Sequence, residues 1–156
     1  MTPSNPNAVR TAMIILRVAL AASFLSAVAD RFGIWGEVGT GSVAWGNFQN
    51  FLDYTALLLW YLPDSMVMIA GWSATIAEVV IAIGLLLGLG LRFFAYASAG
   101  LLATFAIAMT TATGAEAALS YSVWTAAAAS LLLGSLATQD ASPNEIQSHS
   151  TTDGSE

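Results

Sequence analysis

The chain has 156 residues, 56% of them hydrophobic and only 9% charged, with a mean hydropathy of +0.70. Soluble domains carry about 25% charged residues, so this composition predicts one small all-α membrane domain. A net charge of −6 without any Lys excludes the basic face that nucleic-acid binding needs. The lack of Cys excludes thiolate nucleophiles, iron–sulfur clusters and thiolate-bound zinc within the chain.

Residues 1–8 are polar with two prolines and are expected to form a disordered tail. The membrane domain spans 9–138. Its first apolar run, 11–29, is interrupted by Arg17. A competing reading takes Ala27-Val28-Ala29 before Asp30 as a signal-peptidase site, with Arg17 in an unusually long n-region. Asp30 to Asp64 then form an outer segment. Its first part holds five glycines with Trp35 and Trp45 and reads as an ordered loop. Residues 47–62 place Phe48, Phe51, Leu52, Thr55, Leu59 and Leu62 on one helical face. The uncharged part is too short to span, and Pro63 ends it, so it is expected to lie in the interface or tuck back against the other helices.

The second span is expected over 66–91, the third over 93–113 and the fourth over 117–137, with turns at Arg92 and at Gly114-Ala115-Glu116. Residues 139–156 are acidic and rich in Ser and Thr, which predicts a disordered tail containing the chain's one His, His149. Small residues recur every four positions: Ala19, Ser23 and Ala27; Ala95, Ala99 and Ala103; Ala126, Ser130 and Gly134. Such stripes let membrane helices approach closely. The expected fold is an all-α, integral membrane four-helix bundle with an additional interfacial helix in the first extracytoplasmic segment.

Arg10, Arg17 and Arg92 flank one side of these spans, and Arg31 alone the other. The excess of cations places both termini in the cytoplasm and Asp30–Asp64 outside. All five tryptophans then fall in the outer half. They read either as an aromatic belt at the headgroups or as walls of an outward-facing ligand site.

Glu78 stands inside an uncharged run from Met66 to Leu91. A carboxylate at that depth costs about 2.5–3.5 kcal/mol on insertion scales and needs a partner. It shares a stripe with Ala70, Ala74 and Ala82, which turns it toward a protein interface. Gly84 and Gly88 make a GxxxG match beside it. Arg17 is one candidate partner, about 12 Å away along the membrane normal by helix rise; snorkelling to phosphates is its other reading. Arg10, Arg17, Phe24 and Arg31 lie near one stripe, since seven residues are almost two turns. If unpaired, Glu78 would stay protonated and bond a hydroxyl at similar height, from Ser26, Thr104 or Thr125. Trp72 and Trp124 complete the candidate site, as a ceiling for a planar ring. No catalytic constellation and no metal cluster is recognised, and no cofactor is held by the chain's own redox-active groups.

Glu78-Val-Val-Ile-Ala-Ile-Gly84-Leu-Leu-Leu-Gly88-Leu-Gly-Leu-Arg92 resembles the DoxX-like family of small four-helix bacterial membrane proteins. The likeness covers about Arg17 to Leu136, and Arg17 matches an early first-helix arginine of that family. Ala29-Asp30-Arg31-Phe32-Gly33, Trp45-Gly46-Asn47-Phe48 and Tyr121-Ser122-Val123 resemble a subgroup of it. The resemblance implies the bacterial cytoplasmic membrane and a quinone- or thiol-linked redox system, in which the chain is a non-catalytic subunit or helper. The partners it implies are the lipid bilayer and an oxidoreductase subunit, with a homo-oligomer also open; a quinone is the implied ligand. The alternative is a small-molecule binding or transport protein built on Glu78 and Arg17.

Overall fold

The computed structural model of the protein describes residues 5–139. The expected tails therefore lie almost wholly outside the described residues. The part of the N-terminal tail that is described is helical: α1 runs Pro6–Arg31. Asn5 caps it, accepting the Asn7 N–H, and Pro6 fills the first-turn position where its missing donor costs nothing. α1 outlasts the predicted span at both ends, and this brings Arg31 onto the helix.

A loop leads to α2, Phe48–Leu58, capped by Asn47 accepting from Asn50 N–H at 2.9 Å. The predicted helix over 47–62 ends early, because residues 59–62 turn ahead of Pro63. α3 runs Asp64–Leu87 and stops four residues before the predicted end. Gly88 closes it in the left-handed region at φ +69, and Gly90 follows at +52. Glycine enters that region without steric cost. α4 runs Leu91–Thr113. The single fourth span expected over 117–137 is two helices, α5 (Ala115–Ser120) and α6 (Val123–Gln139). They are separated at Ser122, which takes φ +56. A positive φ is uncommon outside glycine.

The described residues form an all-helical protein, and three helices (α1, α3 and α4) are long and apolar enough to cross a membrane. α1 packs on α3 and α6, and α4 packs on α6 and α3. α2 lies against α3 and α4 and touches α1, while α5 lies against α4 and α6. Met13, Leu20 and Phe24 from α1, Ile81 and Leu85 from α3, Ala95 from α4 and Leu133 from α6 share the core.

Small residues set the close approaches. The Phe94 ring occupies the space that a Cβ on Gly84 would need. Ser98 and Ser130 bond across α4 and α6 at 2.8 Å, both fully buried. The stripe on α1 behaves differently from expectation: Ala19 and Ser23 are exposed, and the larger Leu20 and Phe24 face the core with Ala21.

Candidate functional site

The last turn of α1 carries two buried charges with separate tasks. Asp30 turns toward the loop that follows it. Its Oδ2 accepts the backbone N–H of Ala44 at 2.9 Å and of Trp45 at 3.2 Å, and its Oδ1 accepts that of Gly46 at 3.2 Å. Bonds to an ionised acceptor are about twice as strong as neutral ones, so one carboxylate folds the loop back on the helix end. Gly33 and Gly46 meet there, and a Cβ on Gly33 would stand 2.7 Å from the Gly46 carbonyl oxygen. The Trp35 indole N–H bonds the Ser26 carbonyl at 3.1 Å and pins the loop's other limb.

Arg31 turns the opposite way, into the protein. Its Nη2 donates to Glu78 Oε1 at 2.7 Å, and its Nη1 donates to Thr75 Oγ1 at 2.9 Å. The Thr75 hydroxyl in turn donates a hydrogen bond to the Gly71 carbonyl at 2.8 Å. The guanidinium carbon sits 3.8 Å from the centroid of the Phe51 ring, over its face. Cation–π contact of this kind strengthens when both groups are desolvated. Arg31 is 4% exposed and Glu78 only 1%, so water screens neither charge. Gly71 makes the arrangement possible: with no side chain it admits Leu52 and Phe51 of α2 against α3.

Beside the pair lies a cavity of about 1130 Å³. Leu20, Phe24 and Ala27 of α1, Ala74 and Ala77 of α3, and Leu101, Phe105 and Met109 of α4 line it. Trp45, Phe51, Tyr54 and Thr55 close it on the loop and α2 side, and Ala117, Tyr121 and Ala126 on the α5–α6 side. Arg31 and Glu78 are the charged pair in an otherwise mostly apolar wall, with Glu116 near the α5 rim. Small-molecule sites have this character, concave and apolar with a few placed polar groups. Among the described residues, no group of three or more His, Asp or Glu stands where it could hold a metal ion.

The structure redraws the candidate site at several points. Glu78 is buried in a protein interface, as its stripe predicts, but its partner is Arg31 and not Arg17. Arg17 reaches the other end of α3, where Nη2 approaches the Leu86 carbonyl at 3.5 Å and the guanidinium packs over Gly88. A cation there meets the negative end of the helix dipole. None of the three candidate hydroxyls bonds Glu78. Thr104 lines the cavity and donates to the Gly100 carbonyl. Ser26 lines a shallower hollow between α1 and the 40–45 loop. Thr125 is exposed.

Trp72 and Trp124 do not roof the cavity either. Trp72 packs against Phe48, with centroids 4.4 Å apart, and Trp124 donates to Thr110 Oγ1 at 3.3 Å. Trp45 is the tryptophan in the wall. Sequence reasoning missed Arg31, Thr75 and Phe51. The signal for Arg31 was its place on the stripe with Arg17 and Phe24, which continues only if the helix runs past Ala29. Compared with known proteins, the chain matches no family model, no curated protein and no solved structure.

Proposed function

We propose that this chain is a multi-pass protein of the bacterial cytoplasmic membrane that binds an apolar small molecule in the cavity beside Arg31 and Glu78. One observation carries the reading: a fully buried ion pair borders an apolar cavity of about 1130 Å³. Charged groups inside membrane spans are costly, and they mark ligand or substrate sites by default. In this reading α1, α3, α4 and α6, the last entered through α5, cross the bilayer as a four-helix bundle. The arginine distribution keeps both termini in the cytoplasm, and α2, the 32–46 loop and α5 form the extracytoplasmic end. Reporter fusions after Gly114 then read extracytoplasmic and those after Gly154 cytoplasmic.

The resemblance of the Glu78–Arg92 stretch to the DoxX-like family supports a quinone as the first ligand to try. It also supports an oxidoreductase subunit as the partner, with this chain non-catalytic. The test is titration of the full chain in detergent with a short-chain quinone, reading tryptophan fluorescence. Saturable quenching that is lost in Trp45→Phe supports the site, because Trp45 is in the cavity wall. Unsaturable quenching, equal in both proteins, would mean that quinone merely dissolves in the micelle, and the reading fails.

A further inference from the structure

The ion pair is half closed. On its Nε edge a guanidinium presents two parallel donors that match the two oxygens of a carboxylate. Of these two donors in Arg31 only Nη2 is engaged, with Glu78 Oε1; Nε and Glu78 Oε2 meet no hydrogen-bond partner. Both atoms are buried, and both residues line the cavity. An unsatisfied buried donor and acceptor are expensive to leave unmade. Nη1 and Nη2 each have a partner, Nη1 donating to Thr75, whose hydroxyl donates in turn to the Gly71 carbonyl.

We infer that the ligand of this cavity is a neutral molecule whose polar head carries a hydroxyl, a phenol or alcohol on an apolar body. The inference rests on the binding role proposed above. A hydroxyl serves both open positions: its O–H donates to Oε2 and its oxygen accepts from Nε–H. Both atoms are closed off as the pair stands, so the carboxyl must turn for the hydroxyl to reach them. A carbonyl alone would serve Nε and leave Oε2 bare, so within the quinone class the hydroquinone is favoured over the quinone. A charged head is disfavoured for a separate reason. Arg31 and Glu78 already neutralise each other, and a third charge would be buried without a partner.

The experiment compares 4-octylphenol with its methyl ether, 4-octylanisole, binding to the full chain in detergent and read by tryptophan quenching. The two probes differ in the donor and in one methyl group. The phenol is expected to bind at least about tenfold tighter, the effect of one bare buried acceptor. In the double variant Arg31→Met/Glu78→Leu the ratio should fall to near one while both probes still bind; helix content and monodispersity confirm that this variant folds. Equal affinity of the wild type for phenol and ether would overturn the inference and leave the binding role standing, the fork then closing on itself. Tighter binding of 4-octylbenzoate than of the phenol would overturn the neutral headgroup. Saturable binding of none of the probes would overturn both the inference and the role it rests on.

Discussion

The C-terminus and the middle of α3 are held in different ways, each by an arginine from α1. At its C-terminus, Arg17 approaches one carbonyl oxygen at 3.5 Å and remains half-buried. In its middle, Arg31 is engaged by Glu78, Thr75 and the Phe51 ring and has almost no contact with solvent. Around Gly84 and Gly88, side chains from neighbouring elements fill the helix surface. Around Glu78 the packing opens into a cavity. Where Gly and Ala permit contact, dispersion holds the helices together, and polar groups add little. Where aromatics and buried charges hold them apart, the geometry depends on each partner being present, and it leaves room for a ligand.

Breaking the pair should have the largest effect. Glu78→Ala leaves the Arg31 charge buried and unpaired, which costs about 3–5 kcal/mol, and denaturant titration in micelles should show a loss of that size. Arg31→Met/Glu78→Leu should recover most of it, because an apolar replacement of the whole pair removes the desolvation penalty with the attraction. A double variant as unstable as Glu78→Ala would mean that the pair acts through shape and not charge.

Asp30→Ala comes next. It removes the acceptor of three backbone N–H groups and should cost about 1.5–3 kcal/mol, the range for bonds to charged groups. The amides of residues 44–46 should exchange faster, with α4 and α6 unchanged; unaltered exchange there would show that the glycines alone shape the loop.

Gly84→Ala sharpens the contrast from the tightly packed side. The new methyl would meet the Phe94 ring, and overpacking of this kind costs about 1–3 kcal/mol. Gly100→Ala is the control, since nothing stands within 4 Å of its Cβ position. That change should be neutral or stabilise by up to about 1 kcal/mol through helix propensity.

Arg17→Ala should have the smallest effect, about 0.3–1 kcal/mol, as one cation at a helix C-terminus. A loss as large as that of Glu78→Ala would make the C-terminus and the middle of α3 energetically alike.

Much of this was legible in the sequence, and the reasons it was or was not are specific. Glu78 could be assigned to a protein interface because helical spacing fixes which neighbours share its face. Its partner could not be read, because pairing depends on where α1 ends. Residues 30 and 31 are charged, and by hydropathy they fall outside the apolar run. The helix continues through them because Asp30 finds three backbone donors and Arg31 finds Glu78, all distant in sequence. The break at Ser122 was hidden for the opposite reason: the apolar, Ala-rich run over 117–137 signals one span, and only the left-handed backbone at one Ser divides it.

The sequence by itself determined that the chain is helical and apolar and that one carboxylate is buried among the helices; it predicted four spans, where three of the described helices are long and apolar enough to cross a membrane. These follow from local periodicity and composition, which act over a few turns. The tertiary structure decided that Arg31 and not Arg17 meets Glu78, that Asp30 ties down the loop, and that Trp45 and not Trp72 or Trp124 faces the cavity. Each of these is a contact between elements, set by helix ends and packing distances of a few ångströms, and residue spacing along one helix carries no information about either.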